Sequence, residues 1–172
     1  MTWLAPDLAR DWEPSVGDER TILQGFLDYG RKSLLVKCAG LSGAQLTQRA
    51  VPPSTLSLLG LIRHVTDVER TWFRRRFGGE TVDSVYSRPD RPDAAFDDLE
   101  PERAEEDIAR LVREWRLADS AVANLPLDHQ FVSDRWGPMS LRWVYGHMTS
   151  EYNRHNGHAD LLRERIDGRT GL

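Results

Sequence analysis

Apolar residues recur at intervals of three and four in four long stretches of this chain, and prolines or glycines separate the stretches. This spacing places apolar side chains on one face of an α-helix, whereas a half-buried strand would need strict alternation. The stretches run from about residue 18 to 40, 57 to 77, 101 to 125 and 140 to 167. Because no convincing strand or internal repeat accompanies them, the sequence predicts an all-α four-helix bundle.

The segments between the stretches predict how the chain is organised. Residues 1–17 contain tryptophans and prolines without periodicity, so we expect an N-terminal arm followed by one helical-bundle domain over residues 18–172. Residues 78–100 are rich in glycine, proline and acidic residues, which predicts a long, solvated connection between the second and third helices. This connection is long enough to cross the bundle. Residues 126–139 are expected to form another loop.

Charge and cysteine content exclude several classes of function. Lys+Arg 23 against Asp+Glu 27 gives a net charge of -4, which argues against a nucleic-acid binder. The single cysteine, Cys38, excludes an internal disulfide, and its apolar helical setting predicts a core residue rather than a nucleophile. No apolar run approaches the ~20 residues that span a membrane. The N-terminus lacks a signal-peptide pattern, so we expect a cytoplasmic protein.

The last helical stretch carries a carboxylate in the centre of its apolar face. On a helical wheel, Glu151 and His155 lie close to the line through Val144 and Leu162. Their spacing of four residues makes the two side chains neighbours. A charged carboxylate left alone in apolar surroundings is strongly unfavourable, so Glu151 must be paired, protonated or bound to a metal.

A histidine of the second stretch, His64, also points inward on the helical wheel. Two imidazoles and one carboxylate from two helices can close three sides of a metal site and leave a position for water or substrate. This donor set suits zinc and is also compatible with nickel, iron or manganese. The sequence therefore predicts a divalent-metal site at His64, Glu151 and His155, flanked by His147 and His158.

Each predicted ligand also has a purely structural interpretation. An inward histidine such as His64 is more often a hydrogen-bonded core residue. Glu151 could form a buried ion pair with Arg154 or Arg63. The two flanking histidines could donate hydrogen bonds to backbone carbonyls or support the ligands.

A run of three arginines, Arg74–Arg76, closes the second stretch. Cations at a helix C-terminus complement the helix dipole, so the run predicts a solvated helix end, with binding of an anionic ligand as the alternative. Trp72 lies on a stripe that leads away from His64, and it could wall a pocket. Ser-His-Asp catalysis finds no support, because the chain has no nucleophile elbow.

Two segments around the predicted ligands resemble a known superfamily. Residues 57–73, SLLGLIRHVTDVERTWF, resemble the first metal-ligand segment of the DinB/YfiT-like bundles, and residues 148–163, MTSEYNRHNGHADLLR, resemble the last. The sequence looks most like the actinobacterial domain-of-unknown-function branch, which is related to mycothiol-dependent maleylpyruvate isomerase and the mycothiol S-transferases. The resemblance extends from about residue 20 to 167.

The resemblance implies a fold, a site and a reaction. It implies a DinB/YfiT-like four-helix bundle whose metal is held by His64, Glu151 and His155, with His158 beside the site. Many members carry histidine where Glu151 stands, whereas the isomerase branch carries glutamate. The implied reaction is transfer of a low-molecular-weight thiol such as mycothiol to a small electrophile, and a homodimer is compatible with the relatives. A metal-dependent hydrolase and a non-catalytic bundle with a structural metal site are the alternatives.

Overall fold

The computed structural model describes residues 2–171 and contains the four long helices that the apolar spacing predicts. The helices are α1 (Glu19–Val36), α2 (Gly43–Leu46), α3 (Leu58–Glu69), α4 (Ala94–Asp97), α5 (Ala104–Val122) and α6 (Leu141–Asp167). Helix α1 packs against α6, and α3 packs against both α5 and α6. The predicted all-α bundle is therefore confirmed, and the short helices α2 and α4 lie in the connections.

Side-chain caps begin three of the four long helices, at the residues where the sequence predicts that these helices start. Asp18, Ser57 and Ser140 each accept a backbone N–H three residues further on, which satisfies a donor that has no partner within the helix. Helix α6 ends at Gly168, whose φ of 77° belongs to the left-handed region that favours glycine. Helix α1 ends at Val36, earlier than predicted, and a turn continues from it to residue 40.

The second predicted helix changes its hydrogen-bond pattern partway along. After Glu69, residues Arg70–Phe77 continue α3 as a π-helical segment. The spacing of apolar residues does not distinguish α-helical from π-helical hydrogen bonding, so the sequence predicted one continuous helix. Irregularities of this type often accompany functional sites. Here the π-helical segment carries Trp72 and Arg76.

The prediction that the chain contains no strand is wrong for residues 126–139. Strand β1 (Gln130–Ser133) pairs with β2 (Gly137–Ser140) in an antiparallel hairpin. Four-residue strands are too short to display a clear alternation, and glycine and proline in β2 disfavour a strand. The hairpin packs against the end of the π-helical segment, where the Phe77 and Phe131 ring centroids lie 6.2 Å apart.

The connection predicted over residues 78–100 is solvent-exposed at about half of its positions, and a few of its residues are buried against the bundle. Tyr86 and both alanines of α4 are buried, and α4 packs against α3. The Asp67 carboxylate accepts hydrogen bonds from the backbone N–H groups of residues 85–87. One buried carboxylate therefore holds the connection against the bundle.

A buried polar network joins the four long helices. Arg31 of α1 donates two hydrogen bonds to Glu69 of α3, at 2.7 and 2.8 Å. The hydroxyl of Tyr152 on α6 donates to the same carboxylate at 3.0 Å. Trp115 of α5 donates to the Tyr152 oxygen at 2.9 Å. Because each of these buried polar groups has a hydrogen-bond partner on another helix, the network fixes the relative positions of the helices.

The first residues lie against the bundle without forming a helix. Trp3 packs against the hydrophobic core, whereas Trp12 is 80% exposed and stacks on Tyr29 with ring centroids 5.6 Å apart. The division into an arm and a single domain stays a prediction. No helix within residues 2–171 has the length and apolarity that a bilayer crossing needs. The cytoplasmic location and the homodimer also stay predictions.

Candidate metal centre

The packing of α3 on α6 brings His64, Glu151 and His155 together. One candidate ligand atom from each residue lies within 4.8 Å of the other two. His155 Nε2 is 3.5 Å from Glu151 Oε2, and the rings of His64 and His155 have centroids 4.8 Å apart. His155 is 8% exposed, and the other two side chains are half-buried. All three predicted residues thus share one partly enclosed site.

Local packing explains how His64 is held. Phe96 lies on the short helix α4, and the centroid of its ring is 5.3 Å from the centroid of the His64 ring. A Cβ on Gly60, one turn before His64, would lie 2.8 Å from a Phe96 ring carbon. Glycine at this position therefore allows α4 to approach α3 and to cover one side of the site.

Burial keeps both imidazoles of the site neutral near neutral pH. It lowers the pKa of His64 below its ordinary value of 6.5, although the carboxylates of Glu151 and Asp67 act in the opposite direction. Burial, with a further contribution from His64, lowers the pKa of His155 to about 4. A neutral imidazole has a free nitrogen lone pair, which is the form that binds a metal.

Glu151 has no strong ion-pair partner among the described residues. Arg154 Nη1 lies 3.7 Å from a Glu151 oxygen, but the Arg154 side chain is 64% exposed, and such surface pairs are weak. Arg63 instead donates hydrogen bonds to the backbone carbonyls of Ala94 and Asp98. The buried ion pair with Arg63, one of the alternatives from the sequence, is therefore not formed.

The two flanking histidines occupy different surroundings. The Nδ1 atoms of His158 and His155 lie 3.4 Å apart, so His158 directly contacts one of the three site residues. His147 instead stacks on Trp143, with ring centroids 4.8 Å apart and an interplanar angle of 9°. The centroid of the Trp72 ring lies 4.9 Å from the centroid of the His147 ring.

An aromatic cleft opens beside the candidate centre. It has a volume of about 500 Å³, and its lining includes Trp72, Trp136, Trp143 and His147. Trp136 and Trp143 are 54% and 46% exposed, a large exposure for tryptophan. The sequence predicted that Trp72 could wall a pocket. It did not indicate Trp143, and it did not indicate Trp136, which lies in the turn of the unpredicted hairpin.

A second, more polar cleft of about 280 Å³ adjoins the site, and its lining includes His64, Trp72 and Arg76. Trp72 and Trp136 contribute to both clefts. An enzyme site needs such an opening, and through this cleft a small molecule can reach His64.

The prediction of a solvated arginine run is wrong for Arg74. This side chain is buried, and it donates to Glu114 at 2.9 Å and to Glu80 at 2.6 Å. Arg75 is exposed, as predicted. Arg76 lines the second cleft. Tertiary packing therefore gives three consecutive arginines three different environments.

The donor set fits a divalent ion. Two neutral imidazoles and a carboxylate are common ligands of catalytic zinc, and they leave a coordination position for water or substrate. The same ligands also bind nickel, iron or manganese. Asp67, one turn after His64, is the nearby carboxylate that the sequence analysis did not use. Its oxygens are engaged by backbone N–H groups, so it fixes the rim of the site instead.

The chain is similar to one protein family and to a solved structure. A family model described as mycothiol-S-transferase matches residues 22–168. The crystal structure of a conserved protein from Enterococcus faecalis is similar to this chain, with a TM-score of 0.62 and 15% sequence identity over 90% of this chain and 100% of that one. At this identity the likeness shows the fold alone. No functionally curated protein matches the sequence.

Proposed function

Because this chain belongs to the mycothiol-S-transferase family of DinB/YfiT-like proteins, we propose that it is a divalent-metal-dependent enzyme. In this proposal it transfers a low-molecular-weight thiol of the mycothiol type to a small electrophile. The observation that carries the proposal is the convergence of His64, Glu151 and His155, whose candidate ligand atoms lie within 4.8 Å of one another.

His64, Glu151 and His155 would hold the ion, with zinc as the first choice because its preferred donors match this set. A divalent ion at this position would lower the pKa of a coordinating thiol and so supply the reactive thiolate at neutral pH. The neutral state of both imidazoles supports the proposal, since protonated histidines would repel a cation.

The surrounding residues would orient the reactants. The aromatic side chains of Trp72, Trp136 and Trp143 offer apolar surface for the body of an electrophile and exclude water from it. Asp67 holds the backbone at residues 85–87 and thereby keeps the rim of the second cleft in place. Neither role requires any of these side chains to change its protonation state.

Elemental analysis of protein purified without a histidine tag tests the metal site. We expect about one equivalent of a divalent ion, since the proposal contains one three-ligand site. The ion should be lost from H64A, H155A and E151Q. Matched controls are H129A and E164Q, which change exposed residues of the same types and should retain the ion. Full retention of metal in H155A would overturn the site.

A conjugation assay tests the reaction separately. Purified protein, mycothiol and a fluorogenic electrophile such as monochlorobimane should give a conjugate, and the rate should fall on treatment with a chelator and recover with added zinc. Metal binding without any thiol-dependent rate would favour the structural alternative. Chelator-sensitive hydrolysis without a thiol would favour the hydrolase.

A further inference from the structure

Arg76 has no counter-charge among residues 2–171. Its Nη1 atom is buried and has no hydrogen-bond partner. The neighbouring Arg74, in contrast, is paired with both Glu114 and Glu80. Burial and the nearby Arg75 lower the pKa of Arg76, and no carboxylate opposes them. A partly buried cation without a partner is unfavourable, so this guanidinium is suited to receive an anion.

Aromatic rings fix the position of the Arg76 guanidinium. Its Cζ lies 4.0 Å from the centroid of the Trp72 ring. The rings of Phe131 and Trp136 lie further away, at 5.7 and 5.8 Å. Cation–π contacts of this kind hold the guanidinium in place but do not satisfy its N–H donors. The side chain is therefore ordered in advance while its Nη1 donor stays without a hydrogen-bond partner.

Arg76 faces the same cleft as the candidate metal centre. His64 and Arg76 both line the cleft of about 280 Å³, which shares Trp72 and Trp136 with the aromatic cleft. Within the described part of the chain, Arg76 is the one arginine or lysine in the lining. An anion bound to Arg76 would therefore belong to a molecule that can also reach His64.

We propose that Arg76 is a carboxylate-binding residue of this cleft, and that the electrophile is a small α,β-unsaturated carboxylic acid whose apolar part lies against Trp72. In the transfer, the thiol sulfur bonds to the β-carbon of the acid, the C=C π bond breaks, and the α-carbon takes up the proton of the thiol. Assigning the acid as the electrophile rests on the proposed thiol transfer, whereas the binding of a carboxylate does not. A single guanidinium matches one planar carboxylate in a bidentate pair. A phosphate dianion would call for a second cation, and the described lining of this cleft contains no other arginine or lysine.

Calorimetric titration with trans-cinnamate and its neutral analogue cinnamamide tests the proposal. Both probes are titrated into metal-free and zinc-loaded protein. We expect cinnamate to bind the metal-free protein at least about tenfold more tightly than cinnamamide, since hydrogen bonds between charged groups have that order of strength. Equal affinities for the two probes, or cinnamate binding only after zinc is added, would overturn the proposal.

Two substitutions localise the binding. R76Q should weaken cinnamate binding about tenfold to a hundredfold and leave cinnamamide unaffected. R75Q, which changes the exposed neighbouring arginine, should leave both affinities unchanged. If circular dichroism shows that R76Q is unfolded, R76K replaces it, and an intermediate loss is expected because lysine keeps the charge without the bidentate geometry. Identical effects of the Arg75 and Arg76 substitutions would contradict the assignment.

This experiment separates the two proposals. If the protein binds no divalent ion even when zinc is added, Arg76-dependent cinnamate binding would support the carboxylate site while the missing metal counts against the thiol transferase. A metal-containing, thiol-dependent enzyme with no preference for cinnamate over cinnamamide would support the transferase and overturn the role of Arg76.

Discussion

The Nδ1 atoms of His155 and His158 lie 3.4 Å apart, so one of the two imidazoles donates a hydrogen bond to the other. This contact engages Nδ1 of His155 and leaves its Nε2 on the side of Glu151, 3.5 Å from a carboxylate oxygen. Histidines that bind metals commonly have their second nitrogen engaged in this way, which fixes the orientation of the ring. His158 would therefore act by positioning His155.

The positioning role of His158 predicts a graded loss of metal affinity. H158A should weaken binding of zinc about tenfold to a hundredfold, whereas loss of His155 itself should abolish binding. Competition with a chromophoric chelator measures both effects, and H158Q should recover part of the affinity because its amide can still form a hydrogen bond. H129A is the control. An H158A affinity equal to that of the wild type would show that the contact has no such role.

The buried pair between Arg31 and Glu69 predicts a large effect on stability. R31M would leave the Glu69 carboxylate fully buried without its cation, and it should reduce the free energy of unfolding by about 3–5 kcal/mol. Urea denaturation followed by circular dichroism measures this change. K32M, which removes the adjacent exposed ion pair with Asp11, should cost less than about 1 kcal/mol. Comparable losses in the two variants would contradict the importance of burial.

The lowered pKa of His155 predicts how the stability of the metal-free protein depends on pH. The native pKa of about 4 lies below the ordinary value of 6.5, so between these values the unfolded chain binds more protons than the folded one. The contribution of His155 to stability is therefore fully present above about pH 6.5 and is lost as the pH falls toward 4.

Thermal unfolding of the metal-free protein across this range measures the effect. The decrease in Tm on acidification should become smaller in H155Q, which has no titrating group at this position, and should be unchanged in H129Q. An equally steep decrease in H155Q and the wild type would show that other groups dominate the acid response.

The buried position of Cys38 predicts that it is inert in the folded protein. Burial raises the pKa of its thiol from 9.0 to about 12, so almost no thiolate exists at mildly alkaline pH. A disulfide reagent should leave the native protein unmodified and should titrate one thiol after denaturation. Rapid reaction of the native protein would contradict the structure at this residue. The proposed thiol transfer therefore relies on an added thiol.

Local patterns in the sequence were sufficient to predict the long helices and the candidate ligands. Helix periodicity and caps such as Ser57 and Ser140 depend on residues within a few positions of one another. The pairing of Glu151 with His155 is equally local, because a spacing of four residues on one helix makes neighbours of them whatever else the chain does. To predict the complete site, the sequence analysis needed one further inference, namely that His64 points inward on its own helix.

Tertiary structure decided what surrounds those ligands. Arg74, Arg75 and Arg76 are identical in the sequence, yet Glu114 and Glu80 pair with the first, solvent surrounds the second, and Trp72 holds the third. The hairpin and the anchored connection likewise depend on partners distant in the chain, such as the Asp67 carboxylate for residues 85–87. The sequence by itself determined which side chains face inward, because that follows from the period of the helix. Only the folded structure decided which charges are neutralised, because an ion pair depends on distances between segments that no local pattern encodes.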